Sequence, residues 1–203
     1  MHEEVNKILH NAQARFEGWL RRYKPWHVDN GITERNLSFQ FATAFLSLNP
    51  NGLVFMEVPF ATTTSGPCRY HLDAYLHSDE FDLLLECKIV FAPSHIRAIA
   101  ADITRMGNAL DHIYNRHVDT KPSKTYGVIL AETWDPKIAG WWKNRNEEMP
   151  KWSRAGLPDE WHYDFVEVTQ VKEKTTEWTL FWLYGVSPEL MMPLETPPNE
   201  PCC

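Results

Sequence analysis

Positive charge is what the chain most conspicuously lacks. Its 203 residues carry 20 Lys plus Arg against 27 Asp plus Glu, a formal net charge of −7. That excludes a general attraction for nucleic acid, so any such contact needs a local basic patch, a metal ion or a partner subunit. Long apolar runs are absent too: none approaches the roughly 18 to 20 residues that span a bilayer. The opening stretch, MHEEVNKILHNAQARF, places acids early and has no continuous apolar segment of the signal-peptide kind. The expectation is a cytoplasmic protein with no membrane partner. Cys68, Cys87, Cys202 and Cys203 contain no CxxC pair, so a zinc cage is not indicated and reduced thiols fit best. Cys87 lies in an apolar run and reads as a small buried residue. Glycine is scarce at nine residues, and none falls in a GxGxxG or GxxxxGK pattern, so there is no glycine-rich phosphate loop.

What the chain does have is globular composition, 43% hydrophobic and 23% charged, at a length suited to one domain spanning 1–203. Apolar residues at Val5, Ile8, Leu9, Ala12, Phe16, Trp19, Leu20 and Tyr23 predict an amphipathic helix closed by Pro25. Thr33 reads as the N-cap of a second helix with the stripe Leu37, Phe41, Ala44, Phe45 and Leu48. Asn49-Pro50-Asn51-Gly52 stops it. Three strand-like runs follow, at 53–60, 69–77 and 81–91, and their short connections predict an antiparallel meander. Pro93-Ser94 opens a helix with the stripe Ile96, Ile99, Ala100, Ile103, Met106, Leu110, Ile113 and Tyr114. A buried-type strand comes next at 125–134, then a short helix at 136–145. Runs at 163–171 and 176–186 predict a hairpin, and a proline-rich tail from 188 to 203 reads as irregular. The order ααβββαβαββ predicts an α/β fold with a mixed central sheet flanked by helices.

Charge in the wrong place marks the candidate site. Asp73 interrupts the strand RYHLDAYLH, and Glu86 and Lys88 sit inside LLLECKIVF, the most apolar run of the chain. An unpaired ion removed from water costs several kcal/mol, so such charges need a reason. Residues two apart on a strand share a face, which puts Glu86 and Lys88 together and Cys87 on the other side. With Asp73 from the neighbouring strand, two carboxylates and an amine converge. That set suits metal-assisted hydrolysis of a phosphodiester. Asp73 and Glu86 offer hard oxygen ligands for Mg²⁺, or Mn²⁺ in its place, and the Cys87 backbone carbonyl offers another. Lys88 can orient water or hold a phosphate. The plainer alternative is a structural ion pair between Glu86 and Lys88 on a half-exposed strand.

Asp73, twelve residues, then Glu86-Cys87-Lys88 on adjacent strands resembles the PD-(D/E)XK nuclease superfamily. The resemblance covers residues 33–131, about half the chain. It implies a restriction-endonuclease-like αβββαβ core, to which the chain's own pattern adds an extra N-terminal helix, an aromatic-rich extension over 132–187 and a C-terminal β-hairpin. It implies metal-ligand roles for Asp73 and Glu86, and a catalytic role for Lys88. Glu34, in ITERNLSFQF, matches the accessory acid that members carry on the preceding helix, although a glutamate after a Thr cap is also a routine helix-dipole partner. Leu72 stands where the pattern has a proline. The helix after the lysine strand lines the site in many relatives. That makes Arg97 and Arg105 candidate phosphate contacts, with an Asp102–Arg105 ion pair as the plainer reading of the latter. His71 shares the Asp73 face and is a further substrate candidate. Arg21, Arg22 and Lys24, and Arg116, Lys121 and Lys124, would form two basic rails. Trp134, Trp141, Trp142, Trp152 and Trp161 suit core packing or an interface, with base stacking as the sharper option.

The implied function is a Mg²⁺-dependent nuclease, with DNA favoured over RNA by family analogy alone. A homodimer or a partner protein would suit two-strand cutting. The alternatives are a catalytically silent subunit of the same fold, binding nucleic acid or protein, and a nucleotide-processing enzyme using the same metal site.

Overall fold

The structure is a computed structural model and describes residues 1–20, 33–60, 70–116, 124–144, 157–173 and 176–190. Within them lie α1 (His2–Leu20), α2 (Glu34–Leu48), β1 (Leu53–Phe60), β2 (Tyr70–His77), β3 (Asp82–Ile89), α3 (Pro93–Arg116), β4 (Thr125–Thr133), α4 (Pro136–Asn144), β5 (His162–Glu173) and β6 (Thr176–Glu189). The element order is the predicted one, and the fold is α/β with a mixed sheet of six strands ordered β1-β2-β3-β4-β6-β5. The meander β1-β2-β3 is antiparallel, and β4 returns parallel to β3 after the α3 crossover. The β5–β6 hairpin joins the same sheet through antiparallel β4–β6 pairing. No described helix is long and apolar enough to cross a membrane.

Strand alternation gives the sheet two buried faces. Leu83, Leu85, Cys87, Val128 and Leu130 face α1 and α2, meeting Ile8, Phe16, Phe41 and Phe45. Leu84, Ile129 and Ala131 face the other way, into Ile99, Ile103 and Met106 of α3 and Trp142 of α4. Helices on both sides explain why β3 and β4 read as nearly unbroken apolar runs. The β2–β3 turn is pinned by polar groups. Asp82, wholly buried, pairs with His77 Nδ1 at 2.7 Å and accepts a bond from the Tyr75 hydroxyl. Ser78 bonds the Phe81 carbonyl at 2.8 Å. These contacts fix the hairpin register, and with it the facing of Asp73 and Glu86.

Several details differ from the sequence expectations. Leu48, expected in the α2 stripe, is exposed, because it is the last helical residue before the Asn49-Pro50 turn. Thr33 occupies the N-cap with extended geometry, but its side chain makes no capping bond. The irregular tail was expected from 188, yet β6 continues through Glu189. Pro188 is tolerated because the β4–β6 register shifts between Tyr126 and Val128, and the Gly127 N–H there is taken by Ser187 Oγ at 2.8 Å. Trp141, Trp142 and Trp161 are buried core residues, so base stacking on them is excluded, and Trp134 packs on the α1/α2 side. Pro25, Arg21, Arg22, Lys24, Lys121, Trp152, Cys68, Cys202, Cys203 and the side chains of Ile113, Tyr114 and Arg116 lie outside the described residues.

Candidate carboxylate–lysine site

The site arises where two strands part. β2 and β3 pair from His77–Asp82 as far as Ala74–Leu85 and then stop, while β2 stays with β1 through Leu72 and beyond. Beyond Leu85, the β3 groups that faced β2 lose their backbone partners and must find others. Two carboxylates take them. Asp73 Oδ2 accepts the Cys87 N–H at 2.6 Å, and Glu34 Oε1 accepts the Ile89 N–H at 3.3 Å. A strand residue presents its N–H and C=O to the same neighbour, so the Cys87 carbonyl also looks into the split. Across from Asp73 on β1, Glu57 adopts a positive φ of 52° and pairs with Arg35 at 3.2 Å. A bulky residue in that conformation marks a local distortion of β1 at the level of the split.

Glu86 and Lys88 share the α3 side of β3, as the two-residue period requires, while Cys87 packs into the α1/α2 core. Lys88 Nζ lies 3.3 Å from Asp102 Oδ2 and 3.8 Å from Glu34 Oε2. Asp102 is buried on α3 and also pairs with Arg105. Its Oδ2 has no hydrogen bond in line, so the Lys88 charge is what compensates it. Arg105 in turn lies 5.3 Å over the Tyr70 ring, a cation–π contact.

The electrostatics follow from crowding two acids into a poorly solvated split. Burial pushes the Glu86 carboxyl up to about 8; neighbouring Asp73 adds to the rise, and Lys88 and Arg105 oppose it. Burial also raises Asp73, against the Cys87 N–H bond and Lys88, with Glu34 and Glu57 adding to the rise. The Cys87 thiol is held well above its ordinary range by burial, which makes it inert as a nucleophile.

The structure thus brings together Asp73, Glu86, Lys88, Glu34 and Arg105. It does not bring in Arg97 or His71: both are exposed, and among the described residues no hydrogen bond or ion pair ties either to the cluster. Asp102 is the residue that sequence reasoning misplaced, as a surface partner of Arg105. The available signal was its position three after Ile99 and four before Met106, on the buried stripe. Among the described residues no three His, Cys, Asp or Glu side chains form a ready-made metal cage. The donor set nonetheless fits a hard divalent cation. Mg²⁺ takes one or two carboxylates and fills the rest with water and substrate oxygens, and here the half-buried Asp73 carboxylate adds to the raised pKa of the buried Glu86 beside it, a crowding that a bound cation would relieve. No family model matches the sequence, and searches of curated proteins and of solved structures returned no match.

Proposed function

We propose that this chain is a divalent-metal-dependent nuclease hydrolysing phosphodiester bonds, with DNA as the expected polymer. The observation that carries the reading is the split of β2 from β3, which faces the Asp73 and Glu86 carboxylates toward each other with Lys88 alongside. The αβββαβ order from α2 to β4 is the one implied by the PD-(D/E)XK resemblance. Asp73, Glu86 and the Cys87 carbonyl would hold Mg²⁺ or Mn²⁺, which when bound acidifies a water and offsets charge on the phosphate oxygens. The protein's own contribution is positioning. Asp73 is fixed by the Cys87 N–H, so one ligand is set before anything binds. Lys88 is held between Asp102 and Glu34, with its ammonium beside the carboxylates, where it can donate a proton-bearing contact to a phosphate oxygen or to the attacking water. Glu34 braces the open end of β3 through the Ile89 N–H. Arg105 brings a second cation on the same side.

The test is cleavage. Supercoiled plasmid, single-stranded DNA and RNA are incubated with the protein in Mg²⁺, Mn²⁺ or EDTA, beside Asp73→Asn and Lys88→Ala. Metal-dependent cleavage that falls at least a hundredfold in both variants supports the proposal. Equal activity in variants and wild type, or none on any polymer, overturns it, and retained binding without cleavage points to the silent-subunit alternative.

A further inference from the structure

The most exposed large apolar side chain among the described residues is Phe91, at 74%. It sits where the chain leaves β3 for α3, three residues after Lys88. Leaving a phenylalanine in water forgoes roughly 2 kcal/mol of burial, so its presentation there needs a reason. The ring is not loose. The Phe91 N–H donates to His95 Nδ1 at 3.3 Å, and the two rings meet edge to face with centroids 4.3 Å apart. His95 therefore buttresses Phe91 while most of the ring stays open to solvent.

Phe91 and His95 form one side of a cleft of about 610 Å³, whose other lining residues are Thr33, Glu34, Arg35 and Ile89. This volume is in the range of small-ligand sites. The cleft is continuous with the carboxylate–lysine cluster, because Glu34 belongs to both. Even a fully extended chain covers only about 3.3 Å per residue, so Phe91, in the bend just past the end of β3, stands no more than about 10 Å from Lys88, within reach of the nucleotide next to a phosphate held there. The rim is polar: the Thr33 hydroxyl is not spent on capping, and the Glu34 carboxylate and Arg35 guanidinium stand beside it. An open aromatic face with donors and acceptors around it matches a nucleobase, which has a π face and a hydrogen-bonding edge. A purely apolar ligand would strand the charged rim, and an isolated phosphate would meet the Glu34 carboxylate. A base inside a duplex is already stacked on both faces, so the occupant must be unpaired.

We propose that Phe91, braced by His95, is a stacking platform for an unpaired nucleobase next to the carboxylate–lysine cluster, which makes single-stranded nucleic acid the substrate class. The inference rests on the nuclease reading for its ligand, but its test does not use cleavage. The full-length protein in EDTA is titrated with a single-stranded oligonucleotide carrying 2-aminopurine and, separately, with a duplex of the same sequence. Stacking predicts quenching of the 2-aminopurine signal. Phe91→Ala should weaken single-strand binding roughly 5- to 150-fold and abolish the quenching, Phe91→Trp should retain both, and duplex affinity should stay unchanged. Because Phe91 is exposed, both variants should melt with the wild type. Single-strand affinity unchanged in Phe91→Ala, equal losses for single strand and duplex, or no single-strand binding by the wild type would overturn it. Loss of stacking without cleavage in any metal would sink the nuclease reading alone. Cleavage insensitive to Phe91 with unchanged binding would sink only the platform.

Discussion

Glu132 should make the protein lose stability as pH rises through neutrality, and Glu132→Gln should remove that loss. Its side chain lies on β4, opposite Trp182 of β6, facing the α1/α2 core. It is 2% exposed, and its Oε2 has no hydrogen-bond partner. The Trp182 N–H approaches without closing a bond in line, and its pull toward the ionised form is smaller than the effect of burial. Burial dominates and holds the carboxyl up to about 8, against an ordinary value of 4.5. The folded chain therefore keeps the proton to about pH 8, whereas the unfolded chain releases it near 4.5. Below 4.5 both states are protonated and this contribution is fully present. As pH rises the unfolded state gains by ionising, so stability falls until the folded carboxyl itself titrates. The whole window is worth on the order of 5 kcal/mol, of which about 2–3 kcal/mol falls between pH 5 and pH 7.

Urea unfolding of wild type and Glu132→Gln at those two pH values isolates the effect. The cost of fitting an amide into the core does not depend on pH and cancels in the difference. So do Asp73 and Glu86, which sit away from Glu132 across the sheet in both proteins. Expected is a stability gap between the two proteins that shifts by about 2–3 kcal/mol in favour of glutamine from pH 5 to pH 7. A gap that stays constant within about 0.5 kcal/mol would mean that the carboxyl ionises in the folded protein as it does in water, and the burial argument would fail.

Gly127→Ala should cost about 1–3 kcal/mol by overpacking, because an added Cβ would stand 2.8 Å from the Trp161 ring and 2.9 Å from the Met106 sulfur; an unchanged melting temperature would refute the packing. Asp102→Asn should cost about 1–3 kcal/mol in thermal or urea unfolding, since it removes the counter-charge shared by Lys88 and Arg105. If the nuclease reading is right, it should also lower cleavage at least tenfold while single-strand binding at Phe91 persists, and full activity in Asp102→Asn would show that Lys88 needs no such anchor.

The fold was legible where periodicity and connection length agree. Three strand-like runs with short spacers admit little besides a meander, and Leu84, Leu85 and Val128–Ala131 read as doubly covered strands because they are. The sequence could not place the β5–β6 hairpin inside the sheet. Nothing in a hairpin's own pattern names the strand it will pair with, and here it is β4, on the far side of β3 from β1 and β2. Pro188 misled for a related reason: it breaks a regular ladder, but a register shift beside Gly127 removes the need for its missing N–H. The His77–Asp82–Tyr75 contact was invisible as well, since nothing in the run 81–91 marks the first residue of β3 as a wholly buried carboxylate bonded back to β2.

At the site, what was legible was charge that violates a pattern, and what was hidden was polarity that obeys one. Asp73, Glu86 and Lys88 stood out because an apolar strand offers them no local excuse. Asp102 and Arg105 have such an excuse, helix neighbours three apart, and only the packing of α3 against β3 turns that pair inward to Lys88. Phe91 was hidden for the opposite reason, as one more apolar residue at the end of an apolar run, distinguishable only by its exposure. Glu34 gained its meaning from backbone rather than from charge. The parting of β2 and β3 frees the Cys87 and Ile89 N–H groups on one side of one strand, and an acid from each neighbouring element fills one vacancy. The carboxylates are therefore required by the hydrogen-bond accounting of the split as much as by any chemistry it performs. Replacing Asp73 with alanine would leave the Cys87 N–H unsatisfied and confound stability with activity, which is why asparagine, able to keep an acceptor there, is the informative substitution.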